Sequence, residues 1–233
     1  MLTRPAPYRD RVEGGRRLAS ALEDLGGLDD AVILGLPRGG VQVGAEVARA
    51  LDLPLDVLIV RKIGVPWQPE LALGAMASGG VLLLNRDIVH TTGVSQEEID
   101  EISATERREL ERRERTYRDG AGAADVLGKT VVVVDDGVAT GATMRAAIAS
   151  LRERGPARIV VGVPVGSPGT LRLLEREADE VVCPLAPPFF SSIGEWYEEF
   201  PQLSDEAVRR LLEECRQRTP ETDLVRSESR SGL

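Results

Sequence analysis

Apolar residues recur first at helical spacing and then in short unbroken runs. Leu18, Leu22 and Leu25 fall three or four positions apart with Arg16, Arg17 and Glu23 between them, which predicts an amphipathic helix over 12–25 closed by Gly26-Gly27. Ala31 to Gly35 reads as a buried strand, Gly35-Leu36-Pro37-Arg38-Gly39-Gly40 as a loop, and Val43, Val47 and Leu51 as one face of a helix. Leu55 to Val60 is the next strand candidate. Near-continuous apolar strands alternating with helices predict an open, mainly parallel sheet covered on both faces. The alternation pauses at Leu71 to Ala77 and Val81 to Asn85, two apolar runs around Gly79-Gly80 that predict a hairpin. Ser95-Gln96-Glu97-Glu98 opens a long polar helix to about Arg118, with Ile99, Ile102, Leu110 and Tyr117 as its few apolar positions. Its Glu109/Arg113, Glu111/Arg115 and Glu114/Arg118 pairs suit a solvated helix or an oligomer contact.

The βα pattern then resumes. Val131 to Val134 is a strand, Ala142 to Leu151 a helix, Arg158 to Val163 a strand, Pro168 to Glu177 a helix and Glu180 to Cys183 a last strand. Ser204 can cap a final helix carrying Val208, Leu211 and Leu212. One domain over 1–215 is expected, with an insert at about 63–125 and a polar, disordered tail over 216–233.

Composition narrows the function. Asp+Glu 38 against Lys+Arg 29 gives a net charge of −9, which disfavours a general nucleic-acid binder. The longest apolar runs fall well short of the roughly 20 residues that cross a bilayer, and the first residues lack a signal-peptide core, so a cytoplasmic protein is expected. Cys183 and Cys215 are too few for a zinc set or a disulfide framework, and the one histidine, His90, sits in no nucleophile motif. Only 3% of residues are aromatic, yet Phe189, Phe190, Trp196, Tyr197 and Phe200 crowd into 189–200.

The segment Val131-Val132-Val133-Val134-Asp135-Asp136-Gly137-Val138-Ala139-Thr140-Gly141-Ala142-Thr143 carries the most chemistry. A buried strand delivers two carboxylates to its C-terminal end, where open α/β sheets bind ligands, and a loop of small residues runs into a helix. Backbone N–H groups there can converge on a phosphate, with the Thr140 and Thr143 hydroxyls as further donors. Two carboxylates beside it suit a sugar diol or a hydrated Mg²⁺, and together these features suggest a ribose 5-phosphate.

This segment resembles the phosphoribosyl-diphosphate (PRPP) binding motif of the type I phosphoribosyltransferases. The resemblance implies that family's fold, with a C-terminal hood at about 184–203 to which the N-terminus contributes. It also implies that Asp135 and Asp136 hold the ribose hydroxyls and, through water, the metal, while Gly137, Val138, Ala139, Thr140, Gly141, Ala142 and Thr143 wrap the 5-phosphate. By the same resemblance Pro37, Arg38 and Gly39 would bind the pyrophosphate, joined by Arg61 and Lys62 after the second strand, with Arg38 and Lys62 acting on the leaving group. The blocks Leu36 to Val41, Arg61 to Gly64 and Asp135 to Ala142 are similar to a group of stand-alone bacterial phosphoribosyltransferase-domain proteins of unassigned acceptor, over about residues 8–212.

Pro187 to Tyr197 looks like the family's hood, with Phe190 and Trp196 as the rings expected to stack on the acceptor. Hypoxanthine-guanine members carry an aspartate where this chain has Ala139, and a methyl group cannot exchange a proton. A 6-oxopurine handled that way is therefore disfavoured, and Glu70 and Glu195 are the remaining candidate bases. The expectation is a Mg²⁺-dependent transfer of ribose 5-phosphate from PRPP to a nitrogen nucleophile, a nucleobase, with release of pyrophosphate, by a homodimer. Two alternatives stay open: a non-catalytic PRPP or nucleotide sensor, and a PRPP hydrolase.

Overall fold

The structure is a computed structural model and describes residues 6–218. Five strands, β1 (Val32–Gly35), β2 (Leu55–Val57), β6 (Thr130–Val134), β7 (Arg158–Gly162) and β8 (Glu180–Val182), form one parallel sheet in the order β2-β1-β6-β7-β8. The order reverses between β1 and β6, which pair in register from Val32↔Val131 to Gly35↔Val134. Both strands therefore end at one place, where their following loops diverge.

Strand alternation explains the two-faced core. Val132 and Val134 pack with Leu18 and Leu22 of α1 (Arg11–Leu25), Val43 and Val47 of α2 (Gly39–Leu51), and Val208 and Leu212 of α7 (Asp205–Arg218). Val131 and Val133 point the other way, to Met144, Ile148 and Leu151 of α5 (Ala142–Arg152) and Leu171 and Leu174 of α6 (Pro168–Leu174). All four β6 valines are fully buried, each contributing about 1.5–3 kcal/mol relative to exposure.

The run Leu55 to Val60 does not form one strand. Leu58 N–H still donates to Gly35 O, but Ile59 exchanges bonds with Ser78, donating to its Oγ and accepting its backbone N–H. The chain thus leaves β1 for a second, antiparallel sheet of β3 (Val60–Val65), β4 (Gln68–Ala77) and β5 (Val81–Leu84). The expected hairpin is β4–β5, turning through Gly79 and Gly80 at φ 87° and 77°. A short helix α3 (Arg86–Thr92), absent from the sequence reading, starts at Asn85, whose side chain accepts from Ile88 N–H. His90 lies exposed in its last turn.

Helix α4 (Gln96–Arg118) opens with the anticipated reciprocal cap between Ser95 and Glu98. Its far end is tied to the main sheet by Arg118, which is buried and donates to Asp56, Glu114 and Val57 O. Helix α7 runs three residues into the stretch expected as tail, because Leu212 and Cys215 are buried and Arg216 donates to Arg118 O. The rest of that tail, 219–233, lies outside the described residues.

Candidate active site

Two loops meet at the C-terminal ends of β1 and β6. In the first, the Pro37–Arg38 peptide is cis, and α2 begins at Gly39 without a side-chain cap. A Cβ on Gly39 would lie 1.9 Å from Asp136 Oδ2, so only glycine lets this turn rest on the acidic pair. In the second, Val138 is pinned between Val165 O and Ser167 N–H, and Thr170 donates its hydroxyl to Ala139 O. Gly141 then turns at φ 77° and α5 starts, again without a side-chain cap. Both helices begin at this sheet edge, and Thr140, Ala142 and Thr143 are exposed there. Such helix N-termini attract anions.

Between them stand Asp135 and Asp136. Asp135 accepts the backbone N–H of Asp136 at 2.9 Å. Burial raises the Asp135 pKa well above the ordinary carboxylate value, and the neighbouring Asp136 charge raises it further. Burial also raises Asp136, opposed by Arg11, whose Nε donates to Asp136 Oδ2 at 2.7 Å. The pair therefore favours a ligand that supplies hydroxyl donors or positive charge.

Arg11 was not anticipated. Asp10 caps α1 by accepting Glu13 N–H, which sets Arg11 in the first turn, on the stripe continued by Gly15, Leu18 and Leu22. Its Nη1 donates to Pro201 O at 2.7 Å and its guanidinium lies 3.7 Å over the Phe200 ring. An arginine on an otherwise apolar stripe was the available signal.

The hood is assembled around this arginine. Tyr8 N–H donates to Trp196 O, while Glu198 and Glu199 N–H donate to Tyr8 O and Arg9 O. Tyr197 stacks on Phe200 with centroids 5.0 Å apart and donates its hydroxyl to Asp136 O at 2.6 Å. Ile193 packs over Gly137.

Two of the predicted site residues have other partners in the structure. Trp196, expected to stack on an acceptor, is 2% exposed and packs with Tyr8, Val165 and Tyr197, because the 3-10 turn Ile193–Trp196 folds its ring inward. Phe190 is half-buried beside that cluster, and Phe189 is exposed. Arg61, expected on the pyrophosphate, instead pairs with Glu106 and lies 4.0 Å from Glu109, both on α4. Arg38 lies 3.9 Å from Asp205, which accepts the hydroxyl of Tyr117 near the C-terminal end of that helix. Glu109, beside Arg61, also accepts from Arg112, and Asp205, beside Arg38, lies within electrostatic reach of Arg112, so both arginines border the same charged face of α4. Lys62 is exposed and, as the next residue of β3, points away from the Arg61 side. Glu195 is exposed in the 3-10 turn. Glu70 lies in β4, its side chain outside those described.

A protein-family model for the phosphoribosyl transferase domain matches residues 9–193. Proteins of Mycobacterium tuberculosis strains H37Rv and CDC 1551, whose names give phosphoribosyl transferase as a provisional assignment, are 44% identical over 206 residues. The match covers 88% of this chain and 46% of theirs, so the chain spans about half the length of these curated relatives. The crystal structure of TT1426 from Thermus thermophilus is 44% identical with a TM-score of 0.80, covering 89% of this chain and 98% of that one. No helix among the described residues is long and apolar enough to cross a membrane. Sequence match and strand-loop-helix geometry agree: the chain belongs to the phosphoribosyl transferase domain family.

Proposed function

We propose that the chain transfers ribose 5-phosphate from PRPP to a nitrogen nucleophile of the nucleobase class, releasing pyrophosphate. One arrangement carries this reading: two uncapped helix N-termini, α2 and α5, flank a largely buried carboxylate pair at the switch point between β1 and β6. PRPP presents the complementary order of groups, a phosphate and a diphosphate on either side of a diol.

In this reading residues 137–143 hold the 5-phosphate through backbone N–H groups and the Thr140 and Thr143 hydroxyls. Asp135 and Asp136 accept the ribose hydroxyls. The amides following Pro37 and the Arg38 guanidinium hold the diphosphate, with Lys62 as the second cation. As the C1 bond to the diphosphate breaks, positive charge grows on the ribose ring beside the two carboxylates, and negative charge grows on the leaving group beside Arg38. Fixed charges of the matching sign lower that barrier without reorganising.

Mg²⁺ fits as a partner of the substrate. Among the described residues no three His, Cys, Asp or Glu side chains converge, whereas Asp135 and Asp136 offer two hard oxygen donors suited to a hydrated cation shared with phosphate oxygens. When bound, the ion would neutralise diphosphate charge. Phe190 is the ring proposed to face the acceptor, and Ala139 leaves its base-side chemistry to another group, with Glu195 the described candidate.

Pyrophosphate release from Mg²⁺ and PRPP, measured with a panel of nucleobases, tests the reading. Release that depends on one base supports transfer. Release without a base indicates a hydrolase, and binding with no release for every base indicates a sensor.

A further inference from the structure

Arg11 is 6% exposed, and Asp136, 125 positions away, is 8% exposed. A buried ion pair carries a desolvation cost that an apolar pair of similar volume would avoid. Helix α1 could bury a leucine at position 11 in register with Leu18 and Leu22. It buries a guanidinium instead and uses it three ways: Nε on Asp136 Oδ2, Nη1 on Pro201 O, and its flat face on Phe200. Tyr197, stacked on Phe200, holds the backbone of the same aspartate through its hydroxyl. Gly39 closes the remaining side of Oδ2, its hypothetical Cβ being 1.9 Å from that oxygen and 3.1 Å from Arg11 Nε. Arg11 thus engages Oδ2 of this carboxylate, and its other oxygen is the one a ligand hydroxyl would use.

We infer that Arg11 is a positioning residue: it fixes the rotation of the Asp136 carboxylate so that one oxygen is reserved for the sugar diol, and through Phe200 and Pro201 it ties the hood to the ribose subsite. This rests on the proposed PRPP reading. It adds that sugar recognition depends on a side chain from the N-terminal helix, and that hood and ribose subsite move as one body.

The test measures binding of ribose 5-phosphate, 2-deoxyribose 5-phosphate and inorganic phosphate by calorimetry to wild type, Arg11→Met, Arg11→Lys, Asp136→Asn and the Arg11→Met/Asp136→Asn double variant. A positioning role predicts that Arg11→Met weakens ribose 5-phosphate about tenfold and flattens its preference over the 2-deoxy sugar. Inorganic phosphate should stay within twofold, and Arg11→Lys should restore part of the loss. Arg11→Met should add little once Asp136→Asn is present, because both act on one contact. Equal weakening of all three ligands, or losses that add in the double variant, would make Arg11 a packing residue and overturn the inference. If Arg11→Met fails to fold, Phe200→Leu is the second probe: it retains the ion pair but removes the face that orients the guanidinium, and unchanged sugar preference would count against the proposal. Failure of wild type to bind PRPP, titrated alongside with Mg²⁺, would refute the PRPP reading itself, a result separable from a failure confined to Arg11.

Discussion

The ends of β1 and β6 and the hood above them use polar groups in opposite ways. At the strand ends α2 and α5 begin without side-chain caps, and two carboxylates stand together with burial opposing their charge. In the hood the Tyr8 and Tyr197 hydroxyls each donate to a backbone carbonyl, Arg11 donates to Asp136 and Pro201, and the rings cover one another. The first region keeps its electrostatics available for a ligand. The second spends its contacts on holding the first in place. Hood substitutions should therefore lower stability while leaving inorganic phosphate binding intact.

The largest expected effect is on the hood. Trp196→Ala should cost about 3–5 kcal/mol in urea unfolding, as for other large buried rings, while affinity of the remaining folded protein for inorganic phosphate stays unchanged. A loss under about 1 kcal/mol would break the comparison from the hood side. Gly39→Ala should cost about 1–3 kcal/mol by overpacking and should also weaken PRPP, since the new methyl group displaces the Asp136 carboxylate. Unaltered PRPP affinity in this variant would separate the first loop from the acidic pair.

Those two positions also show which parts of the molecule were legible beforehand. The strand-loop-helix segment at β6 is contiguous: strand, acids, small residues and helix follow in thirteen positions, so local pattern carries the geometry. Arg38-Gly39-Gly40 is equally local. Arg11 reaches Asp136 only because α1 packs across the sheet, and a separation of 125 residues erases any spacing signal. Trp196 looked exposed because its neighbours are polar, but a single 3-10 turn decides which way the ring faces. Arg61 follows an apolar run that reads as one strand, and the partner switch at Ile59 depends on Ser78, nineteen positions later.

A smaller effect sharpens the acceptor side. Phe190→Ala should weaken acceptor binding roughly three- to tenfold, the scale of one aromatic stacking contact, with little change in stability or PRPP affinity. If acceptor binding is untouched, the ring packs against the hood and recognises nothing.

The smallest effect concerns pH. Asp135 is raised by burial and by Asp136, so the folded protein binds its proton more tightly than the unfolded chain. Its contribution to stability is complete below the unfolded value of about 3.9 and is lost as pH rises through the folded value. Asp135→Asn cannot ionise and should melt higher than wild type near pH 8, with the difference closing towards pH 4. A difference that widens on acidification would reverse the sign and show the carboxylate to be stabilised where it stands.

Calorimetric titration of wild type and Asp136→Ala with Mg²⁺ and PRPP tests the site most directly. Wild type should bind one PRPP per chain, and Asp136→Ala, which removes the carboxylate proposed to hold the sugar and strands Arg11, should bind at least about a hundredfold more weakly while still retaining inorganic phosphate. No PRPP binding by wild type, or equal binding by both proteins, would contradict the assignment of this sheet edge to PRPP.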